Sequence, residues 1–212
     1  MNFNFNVSEL IFVMPELFLL AAISCILLFD LYVKEELKKF TYHLSQLALL
    51  ITGLLAFNLI GESATIFSGT FVLDTLGSTF KVFIAGFSII ALVYSRHYLS
   101  VHGLLRNEYF ILALMSILGM LVMVSGHSLL TLYLGLEIMS LSLYALIATA
   151  RDRAFAIEAA LKYFVLGAIA SGLLLYGMSM IYGITGNLDI AQIASFASLA
   201  TLEPQETLIL NF

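Results

Sequence analysis

The chain has 212 residues, of which 61% are hydrophobic and only 11% charged; its formal net charge is −5 and its mean hydropathy is +1.04. These values exclude an ordinary soluble domain and predict an integral membrane protein. The single cysteine, Cys25, excludes an internal disulfide and a CxxC metal site. The sequence also lacks an HExxH motif and a glycine-rich phosphate loop, which argues against chemistry on a soluble substrate.

The first part of the chain predicts two membrane-spanning helices followed by a short extended segment. Helix 1 is expected over residues 10–31, with the acids Glu16 and Asp30 near its two ends, where both can reach the membrane interfaces. Helix 2 is expected over residues 44–60, which carry no charge. Residues 61–75 alternate β-branched and aromatic side chains, which favours a short hairpin.

The third apolar stretch, residues 76–94, predicts helix 3 and contains a lysine, Lys81. Because Lys81 lies only about five residues inside this helix, its long side chain is expected to snorkel to the interface near Asp74. A structural role is therefore favoured for Lys81, with a part in proton relay as the alternative.

The remainder of the chain predicts three further spanning helices, over residues 109–125, 129–149 and 156–182. A weak amphipathic helix is expected over residues 189–199, and the apolar residues from about 207 predict the start of a seventh spanning helix that the chain does not complete. The predicted fold is therefore one all-α polytopic membrane domain, over residues 1–212, with six transmembrane helices and the beginning of another.

Most of the basic residues lie in alternate loops, whereas the other loops carry no lysine or arginine. The positive-inside rule then predicts that the basic loops face the cytoplasm, or its organellar equivalent, and that the N-terminus faces out. The loop cations are Lys34, Lys38, Lys39, Arg96, Arg106, Arg151 and Arg153.

Two opposite charges lie inside adjacent predicted helices. Glu137 lies about 12 Å along helix 5 and Lys162 about 9–12 Å along helix 6. A charge at the bilayer centre costs about 2.5–3.5 kcal/mol on insertion scales, so each is expected to have a partner or a function. The depths of Glu137 and Lys162 differ by about 6–9 Å, so the two antiparallel helices allow a direct or water-bridged pair. At a separation of about 6 Å and an effective dielectric of about 20, the attraction between the two charges is about 3 kcal/mol.

Such a pair can act as a proton switch. Burial favours the neutral forms of Glu137 and Lys162, whereas their mutual attraction favours the charged forms, so a change in separation would move a proton. Tyr144 and Glu158, the latter one turn before Lys162, are possible relay groups. The competing interpretation is that the pair only holds two helices together.

The residues around these two charges resemble a known family. The segments LYLGLEIMSLSLYAL around Glu137 and AIEAALKYFVLGAIASGLLLYGMSMIYGITGNLDI around Lys162 resemble the antiporter-like membrane subunit N of bacterial respiratory complex I, the counterpart of mitochondrial and plastid subunit 2. The resemblance extends over the whole chain, including FVLDTLGSTFK before and within helix 3.

The resemblance implies a function. Members of this family lie in the membrane arm of NADH-quinone oxidoreductase and are thought to translocate protons, driven by quinone reduction elsewhere in the complex. It implies that Glu137 and Lys162 take part in proton transfer, that NADH or another donor and quinone act elsewhere, and that this chain binds no cofactor or metal. The implied partners are the other membrane-arm subunits and the lipid bilayer, without nucleic acid, in the bacterial inner membrane.

Further lysines of the family, on its seventh, eighth and twelfth helices, have no positions in this chain. We therefore expect either a fragment or a truncated reading frame. Two alternatives remain open at the level of the sequence: a stand-alone cation/proton antiporter, and a purely structural membrane subunit.

Overall fold

The computed structural model describes residues 7–32 and 40–199. Its described part is almost entirely helical, and six of the helices are long and apolar enough to cross a membrane. The elements are a 3₁₀ helix (Val7–Val13), α1 (Met14–Tyr32), α2 (Phe40–Asn58), β1 (Ala64–Ile66), β2 (Phe71–Leu73), α3 (Thr75–Val101), α4 (Asn107–Ser125), α5 (Leu129–Ile147), α6 (Ala154–Thr185) and α7 (Ile190–Leu199).

The six predicted spans, the hairpin and the amphipathic helix are confirmed, and the largest difference in bounds concerns α3. This helix continues to Val101, seven residues beyond its predicted end, because nothing in YSRHYLSV breaks a helix before Gly103, whose φ is +65°. The basic residues Lys34, Lys38 and Lys39, and the predicted seventh helix, lie outside the described residues.

One end of the bundle, here called the hairpin end, holds β1, β2, the turn between α4 and α5, and the connection between α6 and α7. Backbone hydrogen bonds join these pieces. The His127 N–H donates to the Thr70 carbonyl at 3.0 Å. The Leu129 N–H donates to the Leu188 carbonyl at 2.9 Å, and the Ile190 N–H donates to the His127 carbonyl at 3.2 Å. The β1–β2 pair is antiparallel, with Ile66 opposite Phe71.

The opposite end, here called the arginine end, holds the α3–α4 and α5–α6 connections and the end of α1. Two ion pairs close it, Arg106 with Asp152 and Arg151 with Glu108, each at 2.6 Å. Asp30 accepts hydrogen bonds there from Thr41 Oγ1 and Asn107 Nδ2, both at 2.8 Å. As expected, Asp30 therefore lies near an end of its helix.

Helix α4 is the centre of the bundle and packs against α1, α2, α3 and α5. Its contact with α5 is close: a Cβ placed on Gly119 would lie 2.5 Å from the Met139 nitrogen and 2.6 Å from the Gly135 carbonyl oxygen. Small residues thus let the two backbones touch, as in other membrane helix pairs. The core residues include Leu19, Ile23, Leu49, Leu92, Phe110, Leu114, Ile117 and Leu121.

Helix α6 is peripheral. It packs mainly against α5, and the apolar window that makes it a candidate span contains no buried residue. Large apolar side chains such as Leu166, Leu173 and Tyr176 are exposed along it. Charged residues on α6 therefore have fewer protein neighbours than those on the helices around α4.

Candidate proton-transfer site

Glu137 lies near the middle of α5, as the sequence predicts. The helix begins after Ser128, whose Oγ accepts a hydrogen bond from the Thr131 N–H at 3.1 Å. Glu137 lies eight positions after Leu129, the first residue of α5, which corresponds to about 12 Å along the helix. The carboxylate is half-buried and accepts a hydrogen bond from the Ser171 hydroxyl of α6. Ser171 is a partner that the sequence analysis did not single out.

Lys162 does not contact Glu137. Its Nζ lies 2.6 Å from Glu158 Oε1, one turn earlier on the same helix, and both side chains are largely exposed, at 71% and 63%. The predicted Glu137–Lys162 pair is therefore wrong as a direct contact, whereas the i, i+4 contact of Glu158 with Lys162 is confirmed. The predicted roles of the three residues in proton transfer stay predictions.

A stagger between α5 and α6 explains the difference. The prediction assumed that α6 begins at the level where α5 ends. Ser171 instead lies about 25 Å from the start of α6, whereas Glu137, which it contacts, lies about 15 Å from the end of α5. The start of α6 therefore extends about 10 Å past the end of α5, and Lys162 lies about 13–14 Å from the level of Glu137.

Tyr144 occupies the α5–α6 interface between these two levels. Its ring packs edge-on against Tyr163, with centroids 4.7 Å apart, and against Phe164 at 5.7 Å. Its hydroxyl lies directly against Gly167, where an added Cβ would collide with it. Because Gly167 is one turn before Ser171, Tyr144 lies on the side of Glu137 that faces Lys162.

Lys81 forms an ion pair in the interior of the bundle. Its Nζ lies 2.6 Å from Glu16 Oε1, and the two side chains are only 1% and 5% exposed. The expectation that Lys81 snorkels to the interface near Asp74 is wrong, and so is the expectation that Glu16 reaches an interface. Asp74 instead caps α3 by accepting a hydrogen bond from the Gly77 N–H at 2.7 Å.

The physical reason is that α1 and α3 both start at the hairpin end and bring opposite charges to the same depth. Glu16 lies in the first turn of α1, and Lys81 lies six residues after the start of α3. The presence of an acid and a lysine near the same ends of two apolar helices is the signal in the sequence that could have indicated the pair. It was hidden because the two residues are far apart along the chain.

The energetics of this pair are finely balanced. At 2.6 Å and an effective dielectric of about 20, the attraction between Glu16 and Lys81 is about 6 kcal/mol. Removing each ion from water costs several kcal/mol. Apart from the ion contact, the side chains of the described residues supply no hydrogen bond to the Glu16 oxygens or to Lys81 Nζ. The ring of Phe71, with its centroid 5.1 Å from Nζ, adds a cation–π contact.

Comparison with known proteins places the chain in a family. A family described as "NADH:quinone oxidoreductase/Mrp antiporter, TM" matches residues 126–212. NADH-quinone oxidoreductase subunit N of Ruthia magnifica is 66% identical over 209 residues, which cover 98% of this chain and 43% of that protein. The chain belongs to the NADH-quinone oxidoreductase subunit N family. Subunit N of Alkalilimnicola ehrlichii is 50% identical over 87% of this chain and 38% of its own length.

Solved structures agree with the membrane fold. A chain of respiratory complex I from Thermus thermophilus, solved with bound aureothin, superposes with a TM-score of 0.71 at 28% identity, over 93% of this chain and 42% of that one. A chain of an archaeal membrane-bound sulfane sulfur reductase gives a TM-score of 0.76 at 24% identity and shares the fold. The predicted all-α polytopic membrane fold is confirmed. The chain spans less than half the length of the curated subunit N relatives it matches.

Proposed function

We propose that this chain is part of a proton-translocating membrane-arm subunit of NADH-quinone oxidoreductase. In this proposal, NADH or another donor and quinone react elsewhere in the complex, and the chain has no redox centre of its own. Its partners are the other membrane-arm subunits and lipid, without nucleic acid. The observation that carries the proposal is Glu137, a half-buried carboxylate in the middle of a membrane span, in a chain 66% identical to a subunit N.

The proposed location is the bacterial inner membrane, with the arginine end in the cytoplasm and the N-terminus outside. Four cations support this orientation, because Arg96, Arg106, Arg151 and Arg153 belong to the end of α3 and the two connections at the arginine end. The positive-inside rule assigns such an end to the cytoplasmic face.

Proton transfer is proposed to follow the α5–α6 interface. A separation of about 13–14 Å between Glu137 and Lys162 is too long for one hydrogen bond, so the proton needs an intermediate group. The Tyr144 hydroxyl can serve, because a phenol both donates and accepts a hydrogen bond. Lys162 would receive its proton from Glu158 and pass one through Tyr144 and bridging water to the carboxylate of Glu137, whose Ser171 contact holds it at this interface.

The test is the replacement of each charge in the full-length subunit within its complex. We expect Glu137→Gln and Lys162→Met to lower NADH-driven proton uptake by inverted membrane vesicles while the complex still assembles. Glu62→Gln is the matched control, because it makes the same chemical change on an exposed carboxylate at the hairpin end. Proton uptake at the wild-type rate in an assembled Glu137→Gln complex would instead identify a structural subunit.

The role of Tyr144 has its own test. Tyr144→Phe keeps the ring that packs on Tyr163 and removes only the hydroxyl, and we expect proton uptake to fall about 100-fold, the low end of the range for losing a positioned proton-transfer group. The control is Tyr163→Phe, which removes a neighbouring exposed hydroxyl and should leave uptake unchanged. Equal rates for the two variants would remove Tyr144 from the path.

A second candidate function is cation/proton antiport without redox partners, which the family description itself includes. The two candidates differ in what drives transport. The subunit in liposomes should acidify or alkalinise the lumen in response to an imposed Na⁺ or K⁺ gradient if it is an antiporter, and should give no response if proton movement requires the complex.

A further inference from the structure

The Glu16–Lys81 pair is a charged site that the proposed proton path does not use. The pair joins α1 to α3, whereas Glu137 faces α6, and α4 packs against all three of α1, α3 and α5. Lys81 lies about 9 Å from the start of α3, so the pair is within the membrane-spanning part of the bundle rather than at its surface.

The surroundings of the pair are apolar on the side of the hairpin end. Val13, Ile66 and Phe71 form a small buried cluster there, and Val13 precedes Glu16 by three residues while the Phe71 ring faces Lys81. Below this cluster, the hydroxyl of the buried Ser78 donates to the Leu59 carbonyl at 3.4 Å and not to the pair.

The other titratable groups on the elements packed around the pair are few at this end. They are Glu9 in the 3₁₀ helix, Glu62 before β1, Asp74 at the start of α3, His127 in the α4–α5 turn and Asp189 before α7. Within residues 7–32 and 40–199, Glu16 and Lys81 have no ion-pair contact other than each other. Asp30, His43 and Glu108, on α1, α2 and α4, belong to the arginine end.

We propose that Glu16 and Lys81 form a proton-binding site inside the membrane, in which Glu16 takes up and releases one proton beside the Lys81 ammonium. In the uptake step a hydronium ion gives up its proton, so that one of its O–H bonds breaks as an O–H bond forms on the Glu16 carboxylate, and neutral water is left. The net charge of the pair changes from zero to plus one, and release of the proton restores the ion pair.

Incomplete hydrogen bonding is the reason for assigning exchange to this pair. A buried ion pair is stably ionised only when further hydrogen bonds satisfy the remaining lone pairs and N–H groups. Here no side chain of the described residues supplies such a bond to Glu16 or to Lys81. The ionised form therefore has little advantage over the form with a protonated carboxyl, and both can be occupied.

Phe71 makes the protonated form possible. When Glu16 becomes neutral, Lys81 loses its counter-charge and would be an isolated buried cation. The Phe71 ring, with its centroid 5.1 Å from Nζ, still faces the ammonium and attracts it through the ring quadrupole. A purely structural ion pair does not need this second contact for the cation.

Infrared spectroscopy tests the proposal directly. A protonated carboxyl gives a carbonyl-stretch band that a carboxylate lacks, and the band shifts in D₂O if its proton exchanges. For the full chain in its complex in lipid vesicles, we expect such a band to grow as pH is lowered, to shift in D₂O, and to be lost in Glu16→Gln. Lys81→Met should instead retain the band at every pH, because an unpaired buried carboxyl stays neutral.

Two further variants identify the carboxyl. Glu158→Gln, in the exposed pair, and Glu137→Gln, in the proposed path, should leave the Glu16 band in place. Absence of a titrating band in the wild type, or its persistence in Glu16→Gln, would overturn the proposal. Loss of proton uptake in Glu137→Gln with an unchanged Glu16 band would separate the two sites, and normal uptake in that variant would reject the proposed function without affecting this one.

Because a single replacement can disturb folding, a double variant completes the experiment. Glu16→Leu/Lys81→Met replaces the pair by apolar side chains of similar size, a change that is often tolerated. This variant should assemble and show no titrating band. If it retains the band in the assembled complex, the band belongs to another carboxyl and the assignment to Glu16 is wrong.

Discussion

Two lysines inside apolar helices have opposite surroundings in this protein. Lys81 on α3 is 1% exposed and pairs across helices with Glu16, whereas Lys162 on α6 is 71% exposed and pairs within its own helix with Glu158. Both ion contacts measure 2.6 Å. Two ion pairs with the same contact distance can therefore contribute differently to stability. The free energy lost when one partner is removed depends on how completely the remaining partner is buried.

The difference arises from the neighbours of each helix. Helix α3 packs against α2 and α4 and meets α1 through the pair, while α6 packs mainly against α5. A lysine on α3 is enclosed by other helices and needs a partner among them, whereas Lys162 on α6 is not enclosed by the described helices.

The largest effect should come from breaking the buried pair on one side. Lys81→Met leaves the Glu16 carboxyl buried, neutral and without a hydrogen-bond partner, and the free energy of unfolding should fall by about 3 kcal/mol, the upper value for a buried polar group left unsatisfied. Denaturant titration in detergent measures the loss. The double variant Glu16→Leu/Lys81→Met should recover most of it, and a double variant as unstable as the single one would show that the helices tolerate no apolar replacement there.

The next effect should come from the α4–α5 contact. A methyl group on Gly119 would lie 2.5–2.6 Å from backbone atoms of α5, which cannot rotate away, so Gly119→Ala should cost about 1–3 kcal/mol. Gly172→Ala on α6 is the matched control, because nothing lies within 4 Å of its added methyl. Equal unfolding free energies for the two variants would contradict the close α4–α5 packing.

A smaller effect is expected where α6 meets α5. Gly167→Ala would collide with the Tyr144 side chain, which can move, so the cost should be about 1 kcal/mol, at the low end for overpacking. Tyr144→Ala removes the obstacle, and the two changes should therefore be less than additive in a double-mutant cycle of unfolding free energies. Full additivity would mean that residues 144 and 167 are not in contact.

The smallest effect should come from the exposed pair. Replacing Glu158 by Gln breaks an i, i+4 contact between side chains that are 63% and 71% exposed, and the unfolding free energy should change by about 0.3–0.5 kcal/mol. A loss as large as that of Lys81→Met, measured in the same detergent, would show that the Glu158–Lys162 pair is buried in the folded protein.

The sequence predicted the fold better than it predicted the site. Six spans, the hairpin near residue 65 and the depth of Glu137 all follow from local patterns, namely apolar runs, strand alternation and the rise of a helix. The extension of α3 to Val101 was missed because basic and aromatic residues were interpreted as a loop, although none of them breaks a helix.

The partners of the charges could not be predicted from local patterns. The predicted contact of Lys162 with Glu137 assumed that α6 begins at the depth where α5 ends. Because α6 is staggered, Glu137 instead accepts a hydrogen bond from Ser171. Glu16 was expected at an interface because it is near the start of α1. It instead contacts Lys81, which lies 65 positions later in the chain, and no local pattern links the two residues.

The sequence by itself determined which residues are apolar, about where the six spans lie and how far along its own helix each charge stands, because these quantities depend only on composition and on a fixed rise per residue. Only the tertiary structure decided which charge meets which. Helix packing sets the stagger and rotation of each helix through the shapes of side chains on its neighbours, such as Gly119 against α5 and Tyr144 against Gly167, and that information is shared among segments distant in the chain.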